Sequence, residues 1–556
     1  MTTGRVRILV TVLVALTACS NEPAPAPSPT ASAGQVAPAS AAPKVSFYAA
    51  SRFAEQASFG PTPALVAELQ AKGFEKWIDE QFALPASTID PTPIDVYDRQ
   101  LTSDETLFTA KESTRLFHTA PDQLRLRVTW SLSQFIVIGR MGDTRGWPHW
   151  FNLLQRHALD PYATLMRAVS TNPAMGAWLN NAQNRPKSDI CPSCAPNENF
   201  ARELMQLFTI GVRELHTDGS TRRNALGNII ESYTQRDVDE LARVLTGWAY
   251  SSEGPPQPGN YGNWSRAMVP SAIAFERDRG PKTVMGRSFP ANQSTERDLD
   301  DAITMLVTHT NAAPFVSLRL IQHLVTSDPS PAYLGRVAAV FRDDGLGQRG
   351  NLAAVVKAIL LDSEARLGDV PGRSPTGFGK FREPALWYTS VFRVLGCQRA
   401  LESRSSVNGA PKLWIPSQMF TGQATVFGYY APSDRAPVSN LLAPEQRLLD
   451  PTAMSERLSW LPYLAFSGDT QLDDFYMYMH AGCDLAPMAA AFAAGPRSFS
   501  EWMNQRFFRG AIPPALRQRV DAMATNHNLL SKGDDRQRAL WVLGYALSHA
   551  AFGVIK

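Results

Sequence analysis

From Pro196 to Gly211 the chain reads Pro-Asn-Glu-Asn-Phe-Ala-Arg-Glu-Leu-Met-Gln-Leu-Phe-Thr-Ile-Gly, and no other stretch restricts the fold as strongly. A proline stands just outside it and Asn197 is a candidate N-cap, so a helix is predicted to begin there. Glu198 falls in the first turn, where a negative charge suits the helix dipole. At about 100° per residue, Glu198, Arg202, Gln206 and Thr209 share a polar stripe, and Phe200, Leu204, Leu207 and Phe208 lie opposite. Glu203 sits near the edge of the apolar face, where a carboxylate needs a partner or a chemical task. A second rod is predicted from Tyr233. Thr234 and Asp237 have the spacing of a capping box, Val238, Leu241, Ala242, Leu245 and Trp248 face inward, and Asp239 can pair with Arg243 at i, i+4. Two amphipathic rods so close in sequence are expected to bury their apolar sides together.

The same period recurs along the chain. Short helices are predicted over 47–82, broken at Gly60-Pro61-Thr62-Pro63 and at Gly73. A helix from Asp122 carries Leu124, Val128, Leu132, Phe135 and Ile136, and becomes apolar on nearly all sides past Trp130. Others are predicted over 151–156, 162–169, 296–307, 312–325, 331–341, 352–361, 383–395, 454–464, 499–507, 514–523 and 537–549. Ser330-Pro331 is a good N-cap and N1 pair. The stretch 273–289 has no helical period and reads as a short hairpin, while 251–265 and 413–437 are Gly/Pro-rich loops. The fold class is therefore mainly α: a large single-domain helical array with a few short β-hairpins and long Gly/Pro-rich loops.

The N-terminus reads as an export signal. Arg5 and Arg7 precede an uncharged apolar run over 8–16, followed by Leu16-Thr17-Ala18-Cys19, which resembles a bacterial lipobox. That resemblance implies a signal peptide over 1–18, cleavage before Cys19 and thioether lipidation of it. Ser20 at the next position resembles lipoproteins sorted to an outer membrane. An Ala/Pro/Ser-rich tether over 19–44 has nothing to bury, and the folded domain is expected over 45–556. No internal apolar run reaches the roughly 18–20 residues that a bilayer span needs. With 54 basic against 51 acidic residues, the net charge of +3 and the lack of any basic run argue against nucleic-acid binding.

Cys191, Cys194, Cys397 and Cys483 remain, an even number in an oxidising compartment. Three pairings are open. Cys191-Pro-Ser-Cys194 could serve redox chemistry or supply half a zinc site, but it sits in a Pro-rich loop and no second Cys-x-x-Cys completes the site. The preferred reading joins Cys191 to Cys194 and Cys397 to Cys483. Chain-entropy arithmetic gives about 2 kcal/mol for the short loop and about 4.6 kcal/mol for the long one.

Few motifs carry chemistry. Gly345-Leu-Gly-Gln-Arg-Gly350 matches a dinucleotide fingerprint in letters but follows a predicted helix, not a strand. His157, His309 and His323 stand singly; no metal set and no cofactor is expected. The catalytic candidates are Glu198, Glu203 and Asp278. The binding candidates are Asn197, Arg202, Trp248 and Lys282, with Arg202 and Lys282 as anion clamps. Trp414, Phe427, Tyr429 and Tyr430 can stack on sugar rings or fill a core.

The segments 197–211, 233–238 and 242–248, with Ser58-Phe-Gly-Pro-Thr-Pro63, Asn172-Pro-Ala-Met175, the run from Lys282-Thr to Gly286, 320–329 and Thr425-Val-Phe-Gly-Tyr-Tyr430, resemble the bacterial family called domain of unknown function 1800. The resemblance implies an exported, mostly helical protein, often encoded beside a sulfatase-like exported partner, with no established activity. Many members carry His-Asp where this chain has Arg277-Asp278, so metal chemistry from such histidines does not transfer. The expected function is a lipid-anchored binding or assembly factor for an envelope polymer or partner protein. The alternative is a hydrolase on such a polymer, with Glu198 or Glu203 as acid/base. Convergence of Glu203 and Asp278 in a cleft would favour the enzyme.

Overall fold

Side-chain caps start several of the helices. Ser46 Oγ accepts the Ala49 N–H at 3.1 Å, Thr62 Oγ1 that of Leu65 at 3.2 Å, and Ser330 Oγ that of Tyr333 at 3.1 Å. Thr62 and Ser330 are each followed by proline at the first helical position. The computed structural model describes residues 44–556 apart from 97–99, 103–104, 106, 140–142, 254–262, 399–401, 405–410, 414–417, 456, 458–477, 480–482 and 527–532. The segments expected as signal peptide (1–18) and, but for Lys44, as tether (19–44), with Cys19, Trp414 and most of the helix expected over 454–464, lie outside the described residues.

The chain opens with α1 (Phe47–Ala57), α2 (Pro63–Lys72), α3 (Phe74–Ala83), α4 (Phe108–Thr119), α5 (Gln123–Ser133), α6 (Gly146–His157), α7 (Tyr162–Ser170) and α8 (Pro173–Trp178). The two rods follow as α9 (Asn199–Glu203), which runs into a π-helical turn over Leu204–Thr209, and α10 (Gln235–Val244). Next come α11 (Thr295–Thr308), α12 (Ala312–Leu324), α13 (Pro331–Arg342), α14 (Leu352–Leu361), α15 (Ser363–Leu367) and α16 (Pro384–Val394). The C-terminal helices are α17 (Ala486–Ala493), α18 (Pro496–Phe507), α19 (Pro514–Ala524), α20 (Asp535–Leu547) and α21 (Ala550–Gly553).

Strands are few and short. β1 (Trp248–Ala249) pairs with β2 (Val269–Pro270), β3 (Lys282–Val284) with β4 (Arg287–Phe289), and β6 (Glu402–Arg404) lies between β7 (Pro411–Leu413) and β8 (Tyr478–Met479). The hairpin expected over 273–289 is confined to β3 and β4. The longest-range pairing among the described strands is that of β5 (Lys380–Phe381), which takes β9 (Val554–Ile555) antiparallel and ties the C-terminus to the segment before α16. Buried Glu55 of α1 reinforces that tie, pairing with Arg382 at 2.9 Å and Arg509 at 2.5 Å.

Two apolar cores result. The main one runs from α1 to α15, with Phe53, Trp77, Leu124, Trp130, Phe151, Leu204, Phe208, Leu241, Leu320 and Val356 all buried. A second gathers α16 with α17 to α21 around Val391, Met488, Phe499, Met503, Leu540 and Leu543. Both preferred disulfides are formed, Cys191–Cys194 and Cys397–Cys483. Among the described residues no helix is long and apolar enough to cross a membrane, and no group of three or more His, Cys, Asp or Glu could hold a metal ion.

Three local expectations are corrected. The first rod starts at Asn199, not beside Asn197, whose Oδ1 accepts the Asn199 N–H at 3.0 Å. Its uniform polar stripe fails because the π turn adds a residue. The N–H of Ile210 donates to Met205 O at 3.0 Å, five residues back, and Thr209 is buried with its hydroxyl on Leu204 O at 2.5 Å. The helix from Asp122 ends at Ser133, so buried Phe135 and Ile136 continue it as irregular chain.

Candidate functional site

The rods meet as expected, and their polar ends clasp. Arg202 pairs with Glu198 Oε1 at 2.8 Å and donates to Gln235 Oε1 at 3.0 Å, while Gln235 Nε2 donates to Glu198 Oε2 at 2.7 Å. Those hydrogen bonds, Arg202 first, hold the Glu198 carboxyl below its ordinary range. The capping box is present: Asp237 Oδ2 accepts the Thr234 N–H at 2.9 Å, and Thr234 Oγ1 accepts that of Asp237 at 3.3 Å. Glu203 stands apart. One of its oxygens is buried without a hydrogen-bond partner, and burial pushes its carboxyl up against the pull of Arg202.

The other candidates are engaged elsewhere. Asn197 donates its N–H to Asn184 Oδ1 at 2.7 Å, and Asn184 O accepts the Gly247 N–H at 2.9 Å, next to buried Trp248. Arg243 does not take Asp239; it pairs with Glu240 at 2.9 Å and grips Asp278 through Nε at 2.8 Å and Nη2 at 3.2 Å. Burial would raise the Asp278 carboxyl, but Arg243 and the Gly280 N–H outweigh it. Lys282 is buried and pairs with Asp298 at 3.0 Å, an anion shared with Arg277. Among the described residues no hydrogen bond or ion pair joins Glu203 to Asp278 or to Arg243, which holds Asp278.

Cavities point to a different place. One, about 610 Å³, is an open hollow edged by Lys72, Glu75, Lys76 and Glu80, charges that solvent reaches. A second, about 430 Å³, lies between 374–381 and 441–443 and reaches Lys380, Glu445 and Lys556. A narrow cleft of about 50 Å³ is lined by the π turn (Gln206, Leu207), by α12 (Phe315, Arg319, His323), by Gln134 and Phe135 after α5, and by the loop carrying Val426, Phe427, Tyr430 and Pro432. None of Glu198, Glu203 and Asp278 lines any of these three.

Local chemistry builds the narrow cleft. Gly211 ends the rod at φ +72°, and a Cβ there would meet the Phe315 ring at 2.7 Å, so glycine lets that ring close the cleft wall. The π turn frees Phe208 O, which accepts the buried Tyr162 hydroxyl. Buried Asn311 then holds the exit, donating to Ile210 O at 3.0 Å and Arg213 O at 2.8 Å. On the far side, Gly428 (φ +71°) lets the loop turn against Gln134 O.

Behind the cleft lies a buried polar network. Glu383 Oε2 accepts from Tyr430 and from Gln418, each at 2.8 Å, and Oε1 accepts from Trp130 at 3.2 Å with Lys380 at 3.7 Å. Burial would raise that carboxyl, but Lys380, Gln418 and Arg127 among others prevail and hold it at about 2. Arg127 and Lys380 both donate to His323 O, at 2.6 and 3.2 Å. The His323 ring lies between Phe135 and Tyr430, its Nδ1 without a partner, and burial with Lys380 lowers it to about 3, so it is neutral. Arg319 donates to Gln322 Oε1 at 2.9 Å and sits 5.0 Å from the Phe315 ring centroid; no carboxylate among the described residues pairs with it.

Residues 52–554 match the family described as Protein of unknown function (DUF1800). The chain belongs to the DUF1800 family. No curated protein and no solved structure matches it. In this DUF1800 protein the motif rod over 197–211 and the Tyr430 loop, distant in sequence, line one cleft.

Arg319 and Glu383 belong to no motif in the sequence, His323 reads there as a lone histidine, and Tyr430 as a ring that stacks on sugar or fills a core. A signal was present. Arg319 and His323 are four apart on a helix whose other polar residues are Ser317 and Gln322, which puts two titratable groups on one face. Lys380 and Glu383 just before an apolar helix are charges that must be buried with it.

Proposed function

We propose that this DUF1800 protein is an exported, lipid-anchored binding factor for an envelope polymer, held at the membrane through Cys19 and facing the periplasm or the cell surface of an outer membrane. The observation that carries the reading is the convergence of the π turn, α12 and the 425–430 loop on one narrow cleft, with the Phe427 ring 40% exposed at its edge. Aromatic rings beside a few fixed polar groups are what a sugar chain needs for stacking and orientation. A sulfatase-like exported protein is the partner that the family resemblance suggests. Co-sedimentation of the protein with purified envelope polymer is the test: Phe427→Ser should abolish retention, and retention equal to wild type would remove the cleft from the account. Palmitate incorporation, lost in Cys19→Ala, tests the anchor.

The alternative, a hydrolase, is favoured by one observation: the partnerless buried oxygen of Glu203 together with its raised carboxyl, the profile of a general acid. Glu198 is the weaker candidate, being committed to Arg202 and Gln235. Release of new chain ends from the polymer, lost in Glu203→Gln, would establish this reading.

A further inference from the structure

The narrow cleft has about 50 Å³ of room, and one water needs roughly 10–15 Å³. A few waters fit, or one small planar group; a whole sugar ring does not. Whatever binds inserts a small head and leaves its body outside, beside the Phe427 ring.

Charge says what the head is. Arg319 lines the cleft and gives the protein one hydrogen bond, from Nη1 to Gln322, so Nε and Nη2 have no partner among the described residues. In the network behind it, Arg127 and Lys380 face Glu383 and Glu445, which makes three cations against two carboxylates when Arg319 is added. A half-buried guanidinium without a carboxylate is costly, and an anion supplied from outside recovers that cost. The planar fork of arginine matches a carboxylate through two parallel N–H···O bonds.

We propose that the cleft receives a carboxylate borne by a sugar residue of the polymer, held by Arg319 with Gln206 and Gln134 beside it and the sugar body against Phe427. This rests on the cleft-binding reading and adds the ligand's charge to it.

The test is titration calorimetry on the full lipidated chain in detergent at low ionic strength. The probes are an oligogalacturonate and its methyl ester, which keeps the ring and removes the charge. The acid is expected to bind at least about tenfold more tightly than the ester. Arg319→Gln should erase that difference and Arg319→Lys should retain part of it. Equal binding of acid and ester, no saturable binding of the acid, a preference that survives Arg319→Gln, or displacement of the acid by equimolar inorganic phosphate would each overturn the carboxylate assignment. The comparison of acid with ester in the wild-type protein stands even if the Arg319 variants fail to fold. Loss of polymer binding in Phe427→Ser with acid and ester bound alike would end this inference alone; polymer binding untouched by Phe427→Ser would end the cleft reading as well.

Discussion

Tyr430 donates its hydroxyl to Glu383 Oε2 at 2.8 Å, so a loop residue that lines the cleft is fastened to a fully buried carboxylate. That bond joins the surface chemistry to the core. Tyr430→Phe should lower stability by about 1.5–3 kcal/mol, the range for a hydrogen bond to a charged acceptor. Glu383→Gln takes from Lys380 its carboxylate at 3.7 Å, leaving it Glu445, and removes the charge that Arg127 faces, and should cost about 3–5 kcal/mol. Urea denaturation midpoints measure both, and a Glu383→Gln variant as stable as wild type would show the network to be dispensable.

Acid should unfold this protein in two overlapping stages. The native His323 is lowered to about 3 from an ordinary value near 6.5, so between those values the unfolded chain takes up a proton that the native state refuses. Stability therefore falls as pH drops below about 6.5. Glu383, held at about 2 against an ordinary 4.5, contributes stability above 4.5 that disappears as pH falls toward 2. In His323→Gln the loss between pH 6.5 and 4.5 should be markedly shallower, read from denaturant midpoints across pH.

Glu203 works in the opposite sense. Its native carboxyl is raised by burial, so it binds protons more tightly than in the unfolded chain and stability declines as pH rises through the native value. Glu203→Gln should be as stable as wild type or more so at pH 7, and the difference should vanish in acid. A clear destabilisation at pH 7 would mean that the carboxylate has a partner when charged.

The two disulfides should differ in weight. Cys397–Cys483 closes a separation of 86 residues and Cys191–Cys194 one of 3. Replacing the first pair by serine should cost up to about 4.6 kcal/mol and the second up to about 2 kcal/mol, by thermal or chemical unfolding.

Much of the fold was legible because it was written locally. Thr62-Pro63, Ser330-Pro331 and the Thr234–Asp237 box are read within a few residues, and α11 to α14 stand close to their predicted spans. The cleft was not legible, because its walls come from residues 134, 206, 319, 323 and 430 and only tertiary packing brings them together. The π turn was also invisible: Leu204 to Thr209 has a good helical period, and the extra residue shows only in where Thr209 O–H and Ile210 N–H donate. The β5–β9 pairing, 173 residues or more apart, has no local signature at all.

The central claim is that the cleft binds without cutting. It is tested most directly by incubating the protein with purified envelope polymer and measuring, in the same samples, the polymer retained and the chain ends released. Saturable retention that Phe427→Ser abolishes, with a constant number of chain ends, is the predicted result. Chain ends that accumulate with wild type and not with Glu203→Gln would contradict it.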